Sequence, residues 1–122
     1  EANDDPLELA DAIHATGMNA GLAINPPTEV ELILPYIEAF DLILVMSVNP
    51  GFSGQAFIPE VLEKVETVRK QLRPNQRLQM DGGVGLTTCV ACRDAGCDVL
   101  VAASAIFGTT DYEYSIAALR GI

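Results

Sequence analysis

Four short apolar runs, at residues 21–24, 42–48, 77–80 and 99–103, alternate along the chain with segments punctuated as helices. The second and fourth runs lack polar alternation, the pattern of strands covered on both faces. Asp5 reads as an N-cap, with Pro6 at the first helical position and Glu8 at the third. Leu9, Ala10 and Ile13 follow at helical spacing, and Gly17 closes the segment. Thr28 with Glu31 forms a capping-box pattern before Val30, Ile33, Leu34 and Ile37. Pro35 lies inside that segment and predicts a short or kinked helix. Val61, Leu62, Val65, Val68 and Leu72 line one face of the clearest helix. Glu63, Lys64, Glu66 and Lys70 occupy the other, with Glu66 and Lys70 spaced to pair at i,i+4. Residues 87–95, stopped by Gly96, form another helix, and Asp111 opens the last, which carries Ile116 and Leu119. The order α-β-α-β-α-β-α-β-α predicts an α/β fold with right-handed βαβ units and a parallel sheet. No linker or low-complexity tract interrupts it, so residues 1–122 read as one domain. A doubly wound sheet would be compatible with that order.

Charge and composition exclude several classes. Lys+Arg number 7 against Asp+Glu 17, and the net charge of −10 leaves no basic stripe for nucleic acid. An acidic surface still permits a phosphorylated substrate, because main-chain N–H groups can hold a phosphate without Lys or Arg. No apolar run reaches ~18 residues, so no membrane span is expected. No basic segment followed by an apolar one opens the chain, and no signal peptide is expected. Cys89, Cys92 and Cys97 are an odd count, which points to a reducing, cytoplasmic setting rather than a disulfide framework. Cys89 and Cys92 have C-x-x-C spacing but lack a second ligand pair, since His14 is the single histidine and lies far away in sequence. Small apolar side chains on a helix are the simpler reading. His14, between Ile13 and Ala15, reads as a surface or helix-packing histidine.

The unusual residues stand just beyond the carboxyl ends of the strands, the edge where parallel α/β proteins bind ligands. They are Asn25-Pro26-Pro27-Thr28, Met46-Ser47-Val48-Asn49-Pro50-Gly51-Phe52-Ser53-Gly54-Gln55, Asp81-Gly82-Gly83-Val84-Gly85, and Ser104-Ala105-Ile106-Phe107-Gly108. Glycines there let main-chain donors approach an anion, and three such loops on one edge can form a phosphate cup. Asp81 follows a strand directly. Its carboxylate suits a proton carrier or a metal ligand, and equally a turn or N-cap before the helix near Thr87.

The run Met46-Ser47-Val48-Asn49-Pro50-Gly51-Phe52-Ser53-Gly54-Gln55-Ala56-Phe57-Ile58-Pro59 resembles the ribulose-phosphate 3-epimerase family. Leu78-Gln79-Met80-Asp81-Gly82-Gly83-Val84, the stretch from Val99 to Gly108, and Gly21-Leu22-Ala23-Ile24-Asn25-Pro26 extend the resemblance in order. It implies an eight-stranded TIM barrel of the ribulose-phosphate-binding type, of which this chain would be the last four strands, a half-barrel. Such barrels need at least ~200 residues, and the helix-first start is then the helix after strand four. The implied reaction interconverts ribulose 5-phosphate and xylulose 5-phosphate, a pentose phosphate pathway step, by two-base proton transfer at C3 assisted by one divalent metal ion (zinc, iron, manganese or cobalt). The resemblance makes Asp81 both a proton carrier and a metal ligand. It gives Gly51, Phe52, Ser53, Gly54, Gly82, Gly83, Ala103 and Ser104 to the substrate and chiefly its phosphate. Met46 would line the site, though core filling explains a methionine equally well.

Two positions depart from the family pattern: Ala103 stands where Gly is usual, and Ser53 where Gly is commoner. The second acid and the remaining metal ligands belong to the first half of the family's barrel, so this chain alone is expected to be inactive. Two open sheet edges predict a homo-oligomer or aggregation. An epimerase of a six-carbon ketose phosphate, or a phosphate-binding half-barrel without activity, are the other readings.

Overall fold

Each strand lies beside the next in the chain. The computed structural model describes residues 1–2, 5–52 and 54–122. The elements are α1 (Pro6–His14), β1 (Gly21–Ile24), 3₁₀ turns at Val30–Leu32 and Leu34–Ala39, β2 (Leu42–Met46), α2 (Val61–Arg69), β3 (Arg77–Asp81), α3 (Cys89–Ala95), β4 (Val99–Val101), α4 (Ser104–Phe107) and α5 (Tyr112–Arg120). The strands form one parallel sheet in the order β1-β2-β3-β4. A doubly wound sheet reverses its order and carries helices on both faces; a sheet whose order never reverses carries them on one. Burial shows the second arrangement. Ile24, Ile43, Val45, Leu78 and Met80 are at most 1% exposed, whereas Ala23, Leu44, Gln79 and Val99, which share a row on the other face, are not buried. The expectation of cover on both faces is thus corrected. The apolar character of residues 42–46 serves two faces, and this chain's helices cover only one.

Local chemistry explains some element ends. The Asp5 carboxylate accepts from the Glu8 N–H at 3.0 Å, and Pro6 occupies the first turn of α1. The segment after Thr28 departs from expectation. Pro35 has no N–H to give Glu31, so the chain makes i→i−3 bonds instead, Ile33 N–H to Val30 O at 3.0 Å and Tyr36 N–H to Ile33 O at 2.9 Å. No side chain caps the first 3₁₀ turn; the Thr28 hydroxyl donates to Glu1. β2 and β4 are shorter than their apolar runs, and residues 104–107 form α4 rather than loop. Lys64 is not a solvated charge. Its ammonium donates to the carbonyls of Asn25, Pro26 and Thr28, tying α2 to the loop after β1. Among the described residues the ion pairs are His14–Asp41 and Arg69–Asp98, and Glu66–Lys70 is not one of them.

Those two pairs do matching work at the amino edge of the sheet. Asp41 Oδ2 accepts from His14 Nε2 at 2.8 Å and from the Ala20 N–H at 2.7 Å. Asp98 Oδ2 accepts from Arg69 at 2.9 Å and from the Leu78 N–H at 2.9 Å. His14 is therefore a surface partner of a strand-flanking aspartate. The His14 and Ala20 hydrogen bonds hold the Asp41 carboxyl below the usual aspartate range. A depressed carboxyl contributes stability above its unfolded pKa and loses it as pH falls through the folded value. The Tm gap between the parent and Asp41→Asn should be open near neutral pH and close on acidification below about pH 4. A gap that is constant with pH rules this linkage out.

Candidate active site at the carboxyl edge

The register sets Met46 beside Asp81 and Asp81 beside Val101, in one row at the carboxyl ends of β2, β3 and β4. Alternation puts Asp81 on the same face as Arg77 and Gln79, opposite the buried Leu78 and Met80. Its carboxylate therefore stands on the helix-free face. The Asp81 carbonyl accepts from the Ser47 N–H at 2.9 Å and from the Ser47 hydroxyl at 3.0 Å. The turn that follows is closed by Thr88, whose Oγ1 accepts from the Gly85 N–H at 2.9 Å and donates to Gly83 O at 3.2 Å. Of the two roles open to Asp81 in the sequence, turn capping is thus filled by another residue.

The loops at this edge interlock. Gly82 has φ +121°, and a Cβ there would lie 2.7 Å from Val48 Cγ2 and 2.9 Å from Val48 N. Gly83 has φ +64°, and a Cβ there would meet Phe57 N at 2.7 Å. Both contacts are closer than real Cβ atoms allow, so the loop after β2 rests directly on the Gly82–Gly83 main chain. A Cβ on Gly85 would sit 3.7 Å from Ala105 in α4, which brings the segment after β4 against the same turn. The loop after β2 is also braced from within. Gln55 Nε2 donates to Asn49 O at 2.8 Å and to Phe52 O at 3.0 Å.

The structure thus gathers Met46, Asp81, Gly82 and Gly83 at one end of the sheet. Phe52 is 74% exposed, Gly51 and Gly54 flank it in open space, and Ser53 lies outside the described residues. Ala103 precedes α4 with φ −112°, so this position does not use the left-handed backbone that favours glycine. Ala103 and Ser104 are both exposed. Ser47 and Thr88 were given no role by the motifs, although a lone serine inside the apolar run at residues 42–48 is a signal that could have marked the first.

The residues of this chain do not by themselves make a metal centre. Among the described residues no group of three or more His, Cys, Asp or Glu is placed to hold a cation, and Asp81 is a single carboxylate. The thiols are free, and burial pushes Cys92 up to about 11 and Cys97 up to about 12, so neither is a thiolate nucleophile near neutral pH. No helix among the described residues is long and apolar enough to cross a membrane.

Comparison with known proteins agrees with this geometry. The ribulose-phosphate 3-epimerase of Mycobacterium leprae is 43% identical over 123 residues, covering 98% of this chain and 55% of that protein. The Schizosaccharomyces pombe enzyme of the same name is 44% identical over 120 residues, covering 98% and 52%. A rice relative, named as a cytoplasmic isoform, is 42% identical over 122 residues, covering 98% and 53%. The chain spans about half the length of the curated relatives it matches. Among solved structures, thiamine phosphate pyrophosphorylase from Pyrococcus furiosus superposes with a TM-score of 0.67 at 21% identity, over 98% of this chain and 55% of that one. That likeness concerns the fold alone, and with a one-sided parallel sheet it makes the chain about half of a TIM barrel. The sequence profile described as the ribulose-phosphate 3 epimerase family matches residues 1–107, and with those relatives it establishes that the chain belongs to that family.

Proposed function

We propose that the chain is the C-terminal half-barrel, a single α/β domain over residues 1–122, of a cytoplasmic ribulose-phosphate 3-epimerase. The intact protein interconverts ribulose 5-phosphate and xylulose 5-phosphate. The observation that carries this reading is the position of Asp81: a carboxylate not used by the turn beside it, on the helix-free face, next to two glycines pressed against the neighbouring loop. A proton carrier at such a point can exchange a proton at substrate C3, and a second acid on the opposite face completes the inversion. Gly82 and Gly83, residues 51–54, and Ala103 with Ser104 surround the phosphoryl end. The short helix α4, set just after β4, matches the place where phosphate-binding barrels hold that group. Met46 lines the floor between them.

The family's divalent cation would take Asp81 as one ligand and needs further donors from outside these 122 residues. Zinc, iron, manganese and cobalt all suit a His/Asp set. The same division bears on assembly. β1 and β4 each leave an edge unpaired in the sheet, and the face carrying Ala23, Leu44 and Val99 has no helix layer. The 122-residue chain expressed alone should be inactive, and should run as a homo-oligomer or aggregate by light scattering. The polypeptide with its upstream half should interconvert the two pentulose phosphates in a coupled assay. An active, monodisperse 122-residue monomer overturns the half-barrel reading.

A further inference from the structure

We infer that Ser47 is a positioning residue that aims the Asp81 carboxylate and locks the phosphate-side loop to it; this rests on the function proposed above. Ser47 is completely buried one residue beyond the end of β2, a lone hydroxyl in the apolar run at residues 42–48. Every hydrogen-bonding group it has is used at the junction of the two loops. Its N–H donates to Asp81 O at 2.9 Å. Its hydroxyl is shared between Asp81 O, at 3.0 Å, and Gly82 O. Its carbonyl accepts from the Ile58 N–H at 2.8 Å, which fastens the far end of the loop that begins at Asn49.

The consequence is geometric. Asp81 is the last residue of β3, where ladder bonding ends and the chain turns through Gly82 at φ +121°. A glycine turn of that kind has little intrinsic rigidity. Two carbonyls in succession, those of Asp81 and Gly82, are held by one side chain just beyond the neighbouring strand, so the peptide plane between them cannot rotate without breaking a buried hydrogen bond. That plane is attached to the Cα that carries the carboxylate. The Ser47 hydroxyl also lies 3.1 Å from where a Gly82 Cβ would be, so serine and glycine fit each other as a pair. Alanine at position 47 would keep the N–H and carbonyl bonds and lose only the hydroxyl, which isolates the aiming function from the sheet itself.

The test uses the intact polypeptide, with parent, Ser47→Ala and Ser47→Thr compared in the coupled assay. A core variant outside both loops in sequence, Val65→Ala in α2, serves as the destabilised control. Ser47→Ala is expected to lower kcat about 10- to 100-fold, the range for a misplaced catalytic group, with KM within about threefold. Ser47→Thr, which restores the hydroxyl, should recover most of kcat. Should the threonine methyl prevent folding, amide exchange at Gly82 and Gly83 in Ser47→Ala replaces it, with faster exchange expected there and not in the control. A Ser47→Ala enzyme with parental kcat, or one whose loss merely tracks the lowered stability of Val65→Ala, overturns the inference. An inactive parent polypeptide would instead count against the proposed function, which keeps the two failures apart.

Discussion

Asp81→Asn in the intact polypeptide lowers kcat by about 10² to 10⁴, because the carboxylate that carries the proton is gone while the backbone it sits on is retained. The variant is informative because Asp81 is held through its main chain. Its carbonyl takes both Ser47 bonds, and its side chain is not the turn's cap, which is Thr88. Asparagine is isosteric, so β3 should keep its register with β2 and β4 and Tm should stay within a few degrees. KM should change little if the phosphate is gripped by the glycine loops rather than by Asp81. Loss of less than tenfold, with an unchanged fold, would remove Asp81 from the chemistry and with it the central support for the proposed activity.

Gly82→Ala should be strongly destabilising. The added Cβ would lie 2.7 Å from Val48 Cγ2 and 2.9 Å from the Val48 nitrogen, at a φ of +121°. Backbone strain there is of order 1–3 kcal/mol. Overpacking against a neighbouring main chain adds about 1–3 kcal/mol more. At roughly 2–4 °C per kcal/mol for a barrel-sized protein, Tm should fall by about 10 °C in thermal unfolding. Gly54→Ala is the natural comparison, since a Cβ there meets nothing within 4 Å and only the backbone contribution remains. Equal losses from the two variants would mean that the loops after β2 and β3 do not interlock.

The amino-acid order was legible down to single residues where one local rule dominates. Asp5, Pro6 and Glu8 start α1 as capping chemistry requires, and Gly96 ends α3 with φ +112°. Asp111 caps α5 through the Tyr114 N–H at 2.9 Å. The rules failed where two of them competed. Thr28 and Glu31 spell a capping box, but Pro35 lies within the following turns, and the segment became two 3₁₀ turns with the threonine hydroxyl turned to Glu1. Lys64 lies on the polar side of its helix by periodicity, yet three carbonyls of the loop after β1 converge on it. The threonine's partner lies 27 residues away and the carbonyls 36 to 39 residues from Lys64, so neither contact is encoded within a window of ten residues.

Periodicity and motif order, read along the chain, sufficed for the α/β alternation, the family, and the set of residues at the strand ends, because each depends on near neighbours in sequence. Periodicity left a doubly wound sheet open and the family resemblance implied a barrel; the unreversed β1-β2-β3-β4 order with helices on one face is set by packing between distant segments. The importance of Ser47 was likewise hidden. Its partners lie 34 and 35 residues away in the chain, and a hydrogen bond over that separation exists only once β2 and β3 are side by side.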